Sequence, residues 1–244
     1  MNAIKKLGTL LLLITMPVAA IASGTGVALD RAPVDLEDKV SLQRGAKLFT
    51  SYCLSCHGAV YMRYNRLKDI GMSEEQIRKD LLLPEGMKLG STMQAAMDKE
   101  AATQVYGVAP PDLSVIARSR SPDWLYTYMR SFYVDSSRPS GWNNAIFPNV
   151  GMPHILAELQ GEQKLEISHG EGHEAGKLVL DKPGTMSPAE YDVAIADLTN
   201  YLVFMGEPAK LVRHKLGFIV LGFLFLLLLL VYALKKEIWK DIGH

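Results

Sequence analysis

The 244-residue chain predicts a mainly α-helical body with long loops, followed by one C-terminal membrane-spanning helix. Three observations carry this. Apolar residues recur at helical spacing beside capping signals. Stretches rich in Pro, Gly and Asn separate those segments, and strand-like alternation is sparse. An unbroken apolar run stands close to the C-terminus.

The elements follow in order. Lys5 and Lys6 precede an apolar run, Leu7 to Ala20, and the small-x-small site Ala20-Ile21-Ala22. This is the pattern of a secretory signal, so residues 1–22 are expected to be removed and residues 23–212 to form the exported body. Leu42, Ala46 and Phe49 line one face of a helix over Leu42 to Tyr52. Ser73 and Gln76 form a capping box that opens a second helix, which Pro84 ends. Ser121-Pro122 reads as N-cap and first helical residue of a helix over Asp123 to Tyr133. Ser187, Pro188 and Glu190 open the last body helix, with the stripe Tyr191, Ile195, Leu198 and Leu202; Gly206 and Pro208 stop it. Between these lie loops around Pro110-Pro111-Asp112 and from Arg138 to Pro153. Lys177 to Leu180 is half of a short hairpin. Loops longer than about 15 residues are uncommon in a compact body and are usually functional.

The closing run, Leu216 to Leu234, has 15 Leu, Ile, Val or Phe among its 19 residues. At 1.5 Å per residue it is about 28 Å long, the thickness of a bilayer core. Its insertion is favourable by roughly 5 kcal/mol. Residues 213–236 therefore read as an anchor helix with its flanks. With an export signal ahead of it, the body faces the periplasm and residues 237–244 form a cytoplasmic tail.

Lys plus Arg and Asp plus Glu number 26 each. No basic excess exists to release counterions from a nucleic acid, and that partner class is excluded. The only two cysteines stand in Cys53-Leu54-Ser55-Cys56-His57. C-x-x-C-H is the attachment signature of a c-type haem. Thiols one turn apart can each add to a haem vinyl group, and the adjacent imidazole lies beneath the iron. A thiol–disulfide oxidoreductase would place C-x-x-C in a βαβ pattern, and none is visible. A zinc site would need a second Cys/His pair. His169 and His173 stand in a Gly- and Glu-rich stretch that reads as a solvated loop, and His154 reads as a surface-loop histidine.

The opposite face of the iron needs a ligand, and Met suits a high potential. Met152, in Gly151-Met152-Pro153, and Met186, in Thr185-Met186-Ser187-Pro188, both have a Pro neighbour to stiffen a ligand loop. Spacing leaves the two level.

Taken together, Arg44-Gly45, Cys53 to His57, Ala109-Pro110-Pro111-Asp112-Leu113-Ser114, Arg118 and Arg120 resemble the cytochrome c1 family in its proteobacterial form. So do Gly141-Trp142-Asn143-Asn144, Thr185-Met186-Ser187, Phe204 to Pro208 and the tail helix. The family is the membrane-anchored haem subunit of ubiquinol–cytochrome c reductase. The resemblance implies the c-type cytochrome helical fold, with the helix ending at Cys53 crossing the helix that starts at Ser187. Gly45 would permit the approach, and Phe49 and Tyr201 would pack there. It implies one covalent haem c, with Met186 as sixth ligand, Pro110, Pro111 and Ile116 as an apolar wall, and Arg120 at a propionate. It implies cytochrome b and Rieske iron–sulfur partners, cytochrome c as acceptor, membrane lipid around the anchor, and a dimeric complex. An anchored monohaem cytochrome of an oxidase or nitric oxide reductase is the alternative.

Overall fold

The computed structural model describes residues 28–81, 83, 86–170 and 173–240. The expected signal segment and Pro84 lie outside these residues. Eight helices, α1 to α8, are described below, with a π-helical turn, a 3-10 segment and three two-stranded antiparallel ribbons.

Helix α1 (Lys39–Leu48) is capped by Asp38, whose carboxylate accepts from Ser41 N at 3.0 Å. It runs into the wider π-helical turn Phe49–Cys53. The expected face Leu42, Ala46 and Phe49 is buried. Strand β1 (Ala59–Arg63) leads into a 3-10 segment, Tyr64–Ile70, and pairs with β2 (Thr92–Met93). Between them, α2 (Glu74–Asp80) carries the expected Ser73–Gln76 capping box in both directions. Helices α3 (Lys99–Tyr106) and α4 (Ile116–Arg120) precede α5 (Pro122–Arg130). Ser121 caps α5 as expected, accepting from Trp124 N at 3.2 Å. The helix is shorter than its sequence pattern. Phe132, Tyr133 and Val134 form strand β3 instead, paired with β4 (Trp142–Asn144). Aromatic and β-branched side chains suit that pleated ribbon better than a helix end.

Helix α6 (Ala157–Gln160) turns into a hairpin, β5 (Gly161–Gly170) and β6 (His173–Pro183). The hairpin is far longer than Lys177 to Leu180 suggested, and it takes in His169 and His173, which read as loop residues. Its faces pair charge with charge: Glu162 meets Lys182 at 2.8 Å and Lys164 meets Asp181 at 2.7 Å. These cross-strand pairs hold the register that weak alternation hid.

Helix α7 (Pro188–Gly206) has the predicted capping box and start. Its stripe Tyr191, Ile195, Leu198 and Leu202 is buried, and so are Asp197 and Asn200 on another side. Asp197 takes a two-point contact from Arg44, at 2.5 and 2.8 Å. Asn200 donates to Asp35 O and Ser41 Oγ. Asp197 and the Asn200 amide N–H groups are thus bonded to α1 and its lead-in, while Asn200 Oδ1 is buried with no partner among the described residues.

The crossing of α1 and α7 is the centre of the body. A Cβ on Gly45 would lie 2.0 Å from Asp197 O and 2.7 Å from Tyr201 Cβ, so the two backbones meet there. Phe49 and Tyr201 pack beside that point with ring centroids 5.6 Å apart. On the other flank of α7, Tyr191 Oη donates to Met129 O at 2.9 Å. Arg130 reaches Asp192 at 2.6 Å and Asp30 at 2.7 Å, tying α5 and the segment ahead of α1 to α7.

Helix α8 (Lys210–Ile238) has 29 residues, about 44 Å at 1.5 Å each. From Leu216 to Leu234 its large apolar side chains are exposed, with none of that window buried against the body. Among the described residues it is the one helix long and apolar enough to cross a membrane.

Candidate haem-binding site

The π-helical turn delivers the Cys53 motif to the edge of the core. Leu54 N bonds to Phe49 O, and His57 N to Cys53 O at 2.8 Å, so the turn closes directly over the motif. The two cysteines are free thiols, Cys53 buried and Cys56 half-buried. Burial pushes the Cys53 thiol up to about 12. A redox-active C-x-x-C needs a thiol with a lowered value, so this environment opposes the oxidoreductase alternative.

His57 Nδ1 lies 2.8 Å from Pro111 O. That contact fixes the ring and its tautomer, with the proton on Nδ1 and Nε2 left as the donor to a metal. Burial holds the imidazole below its ordinary value, and so keeps it neutral. The Pro111 carbonyl is itself held in place. Asp112 Oδ2 accepts from Val60 N at 3.0 Å, Asp112 Oδ1 accepts from Ser114 N at 2.8 Å, and Leu113 N donates to Gly58 O at 2.7 Å. The Pro-Pro-Asp-Leu-Ser segment is therefore a clasp on the proximal histidine.

These groups open onto a largely apolar cavity of about 460 Å³. That lies within the range of roughly 300–1,000 Å³ common to cofactor sites. Seven of the expected site residues line it: Cys53, Cys56, His57, Pro110, Pro111, Ile116 and Arg120. Arg120 sits over the rings of Trp124 and Phe147, at 5.1 and 5.7 Å. Two thiols, a tethered neutral imidazole, an apolar wall and one guanidinium fit a covalent haem whose propionates need a cation.

Met186 is not among the described residues that line the cavity. Its N–H bonds to Leu159 O at 3.1 Å, and Thr185 N bonds to Glu158 O, so the segment closes against α6 at the foot of the hairpin. Met152 does line the cavity. Both methionines are partly buried against the core. His154 is neither a ligand nor a surface residue: its ring is buried, stacked on Phe132 at 4.8 Å.

Sequence reasoning missed the far wall. Tyr128 and Met129 line the cavity from α5, and Tyr106 lines it from the end of α3. The loop that presents Met152 is shaped by side-chain amides. Asn144 Nδ2 donates to Tyr128 O at 2.8 Å, while Asn144 Oδ1 accepts from Ile146 N and Phe147 N. Asn143 Oδ1 accepts from Asn149 N at 2.8 Å. The Trp142-Asn143-Asn144 run was the available signal.

Residues 31–82 and 86–242 match the Cytochrome C1 family. The chain belongs to that family. Among its relatives, cytochrome c1 of Allochromatium vinosum is 49% identical over 241 residues, covering 97% of this chain and 98% of that one. The ammonia monooxygenase gamma subunit of Nitrosomonas europaea is 56% identical over 233 residues, covering 96% and 97%. Cytochrome c1 of Rhodospirillum rubrum is 29% identical over 242 residues, covering 85% and 84%. As a cytochrome c1, the chain carries one covalently bound haem c and is a membrane-anchored electron-transfer subunit of a reductase complex.

Proposed function

We propose that this chain relays single electrons from a Rieske iron–sulfur protein to cytochrome c within a ubiquinol–cytochrome c reductase, on the periplasmic side of the inner membrane. The bound haem supplies the one-electron couple. Cys53 and Cys56 would hold it by thioethers, His57 would be its proximal ligand and Met186 its sixth. Pro110, Pro111 and Ile116 keep water from that site, and Arg120 is the cation available to a propionate. A dry wall and a thioether ligand both favour a high potential. In this reading residues 1–22 are the signal, 23–212 the periplasmic domain, 213–236 the anchor with its flanks, and 237–244 the cytoplasmic tail. Cytochrome b and the Rieske protein are the partners, in a dimeric complex set in membrane lipid.

One observation supports the haem site most: Cys53, Cys56 and His57 open on a single largely apolar cavity together with Pro110, Pro111, Ile116 and Arg120. The test is a pair of variants in the full chain. Met186→Leu should abolish the Met-to-iron charge-transfer band and lower the midpoint potential, with the c-type pyridine haemochrome spectrum intact. Met152→Leu should keep the band. The reverse pattern sinks the assignment. Co-purification with a cytochrome b and a Rieske subunit tests the complex; recovery with an ammonia monooxygenase in their place would overturn it.

A further inference from the structure

The Asp112 carboxylate sits at the centre of the clasp on His57. Its Oδ2 accepts from Val60 N at 3.0 Å and its Oδ1 from Ser114 N at 2.8 Å. A Cβ on Gly58, the residue after the histidine, would come within 3.2 Å of Oδ2, so the bare backbone there lets the carboxylate approach. We propose that Asp112 is a positioning residue for the redox couple, acting through the Pro111 carbonyl and the His57 ring to lower the midpoint potential of the haem. The proposal rests on the reading of His57 as the proximal ligand.

Two effects of this one group run in the same direction. The first is orientation. Asp112 is tied to strand β1 through Val60 and closes its own turn through Ser114, while Leu113 N bonds to Gly58 O. These bonds hold the Pro111 carbonyl 2.8 Å from His57 Nδ1. A ring N–H donated to a fixed carbonyl makes the opposite nitrogen a stronger donor to a metal, and a stronger donor favours the oxidised form.

The second effect is charge. Burial holds the His57 imidazole below its ordinary value, while the Pro111 carbonyl and the Asp112 carboxylate both pull it up, so both stabilise positive charge on the ring. The oxidised haem carries one more positive charge than the reduced haem, and the same anion favours it. Among the described residues the carboxylate takes backbone N–H groups and no Lys or Arg, so no cation cancels it. Asp112 thus opposes the apolar wall of Pro110, Pro111 and Ile116. Its exposure to solvent screens the charge and keeps the effect modest.

The test uses the full-length holoprotein. Asp112→Asn keeps the turn to Ser114 N and removes the charge and one acceptor. At the parent's midpoint the ferrous-to-ferric ratio should rise about two- to fivefold, which at 59 mV per tenfold is about 20–40 mV. The charge-transfer band and the c-type pyridine haemochrome spectrum should remain. Asp112→Glu keeps the charge and should give a smaller rise. The control is Asp38→Asn, which removes a carboxylate from the N-cap of α1, at the far end of the helix that leads to Cys53. It should leave the potential unchanged. An unshifted or lowered potential in Asp112→Asn overturns the proposal. So does loss of the band or of the c-type spectrum, which would make the carboxylate a structural support, or an equal rise in Asp112→Glu or Asp38→Asn. Failure of the ligand reading looks different: His57→Met would then keep the parent's potential.

Discussion

Gly45 is the position at which one methyl group should do most damage. A Cβ there would sit 2.0 Å from Asp197 O, 2.7 Å from Asp197 C and 2.7 Å from Tyr201 Cβ. Two of these are backbone atoms, so no side chain can swing aside. Restoring ordinary contact near 3.4 Å needs about 1.4 Å of separation between α1 and α7 at their crossing. A gap of even 0.5–1 Å forfeits a quarter to a half of each dispersion contact it opens. Phe49 and Tyr201, both 0% exposed, lie beside the contact, and overpacking of this kind costs roughly 1–3 kcal/mol or more. Removing a mid-helix glycine returns about 0.5–1 kcal/mol. With the overpacking at the upper end of that range, the net expectation for Gly45→Ala is a loss of about 2–2.5 kcal/mol. For a body of this size that lowers the thermal midpoint by roughly 4–10 °C. The assay is thermal unfolding of the detergent-solubilised holoprotein, followed in the far ultraviolet and at the Soret band. Gly206→Ala is the control, since its Cβ would meet Arg118 Cγ at an ordinary 3.5 Å. A Gly45→Ala midpoint within 2 °C of the parent would refute the reasoning.

Two further outcomes follow from burial and from the anchor. Tyr191 and Tyr201 are buried and their ionisation is raised by desolvation, so the folded state holds their protons above pH 10 while the unfolded state releases them. Their contribution is complete below pH 10 and drains above it at about 2.7 kcal/mol per pH unit for the two together. Tyr191→Phe should lower the measured slope by up to about 1.4 kcal/mol per pH unit in denaturant titrations between pH 10 and 11.5; an unchanged slope would count against it. Ending the chain after Ala209 removes α8 with its exposed apolar surface, and should move the haem domain from carbonate-resistant membrane into the soluble fraction. Retention in the membrane would show that another segment anchors it.

Much of the frame was legible because it rests on local rules. The capping boxes at Ser73 and Ser187 and the cap at Ser121 each appear where a hydroxyl precedes the first helical turn. The stripes on α1 and α7 obey helical periodicity. The two-residue gap in Cys53 to His57 fixes its chemistry without reference to the rest of the chain. What failed depended on partners distant in sequence. The end of α5 gives way to β3 because β4 lies ten residues on, ready to pair with it. The hairpin strands are held by cross-strand charges and alternate too weakly to announce themselves.

The choice between Met152 and Met186 shows where local reading stops. Each has a Pro neighbour and each stands in a turn-rich stretch, so composition cannot separate them. The glycine ahead of each shows where its loop packs. A Cβ on Gly151 would press on Tyr106 O at 3.2 Å and Val108 Cγ1 at 3.3 Å, so the loop lies close against the segment just ahead of Pro110 and Pro111. Gly184, ahead of Met186, also marks a close approach, but to Leu159 O and Gly161 N at the hairpin foot. Both glycines permit a backbone contact, and the partner of that contact sets where each loop lies, not which sulfur binds a metal. One lays its loop against the segment ahead of Pro110 and Pro111; the other ties the start of α7 to the hairpin. What a glycine before a candidate ligand packs against is known only once its opposing backbone is known, and that knowledge is tertiary.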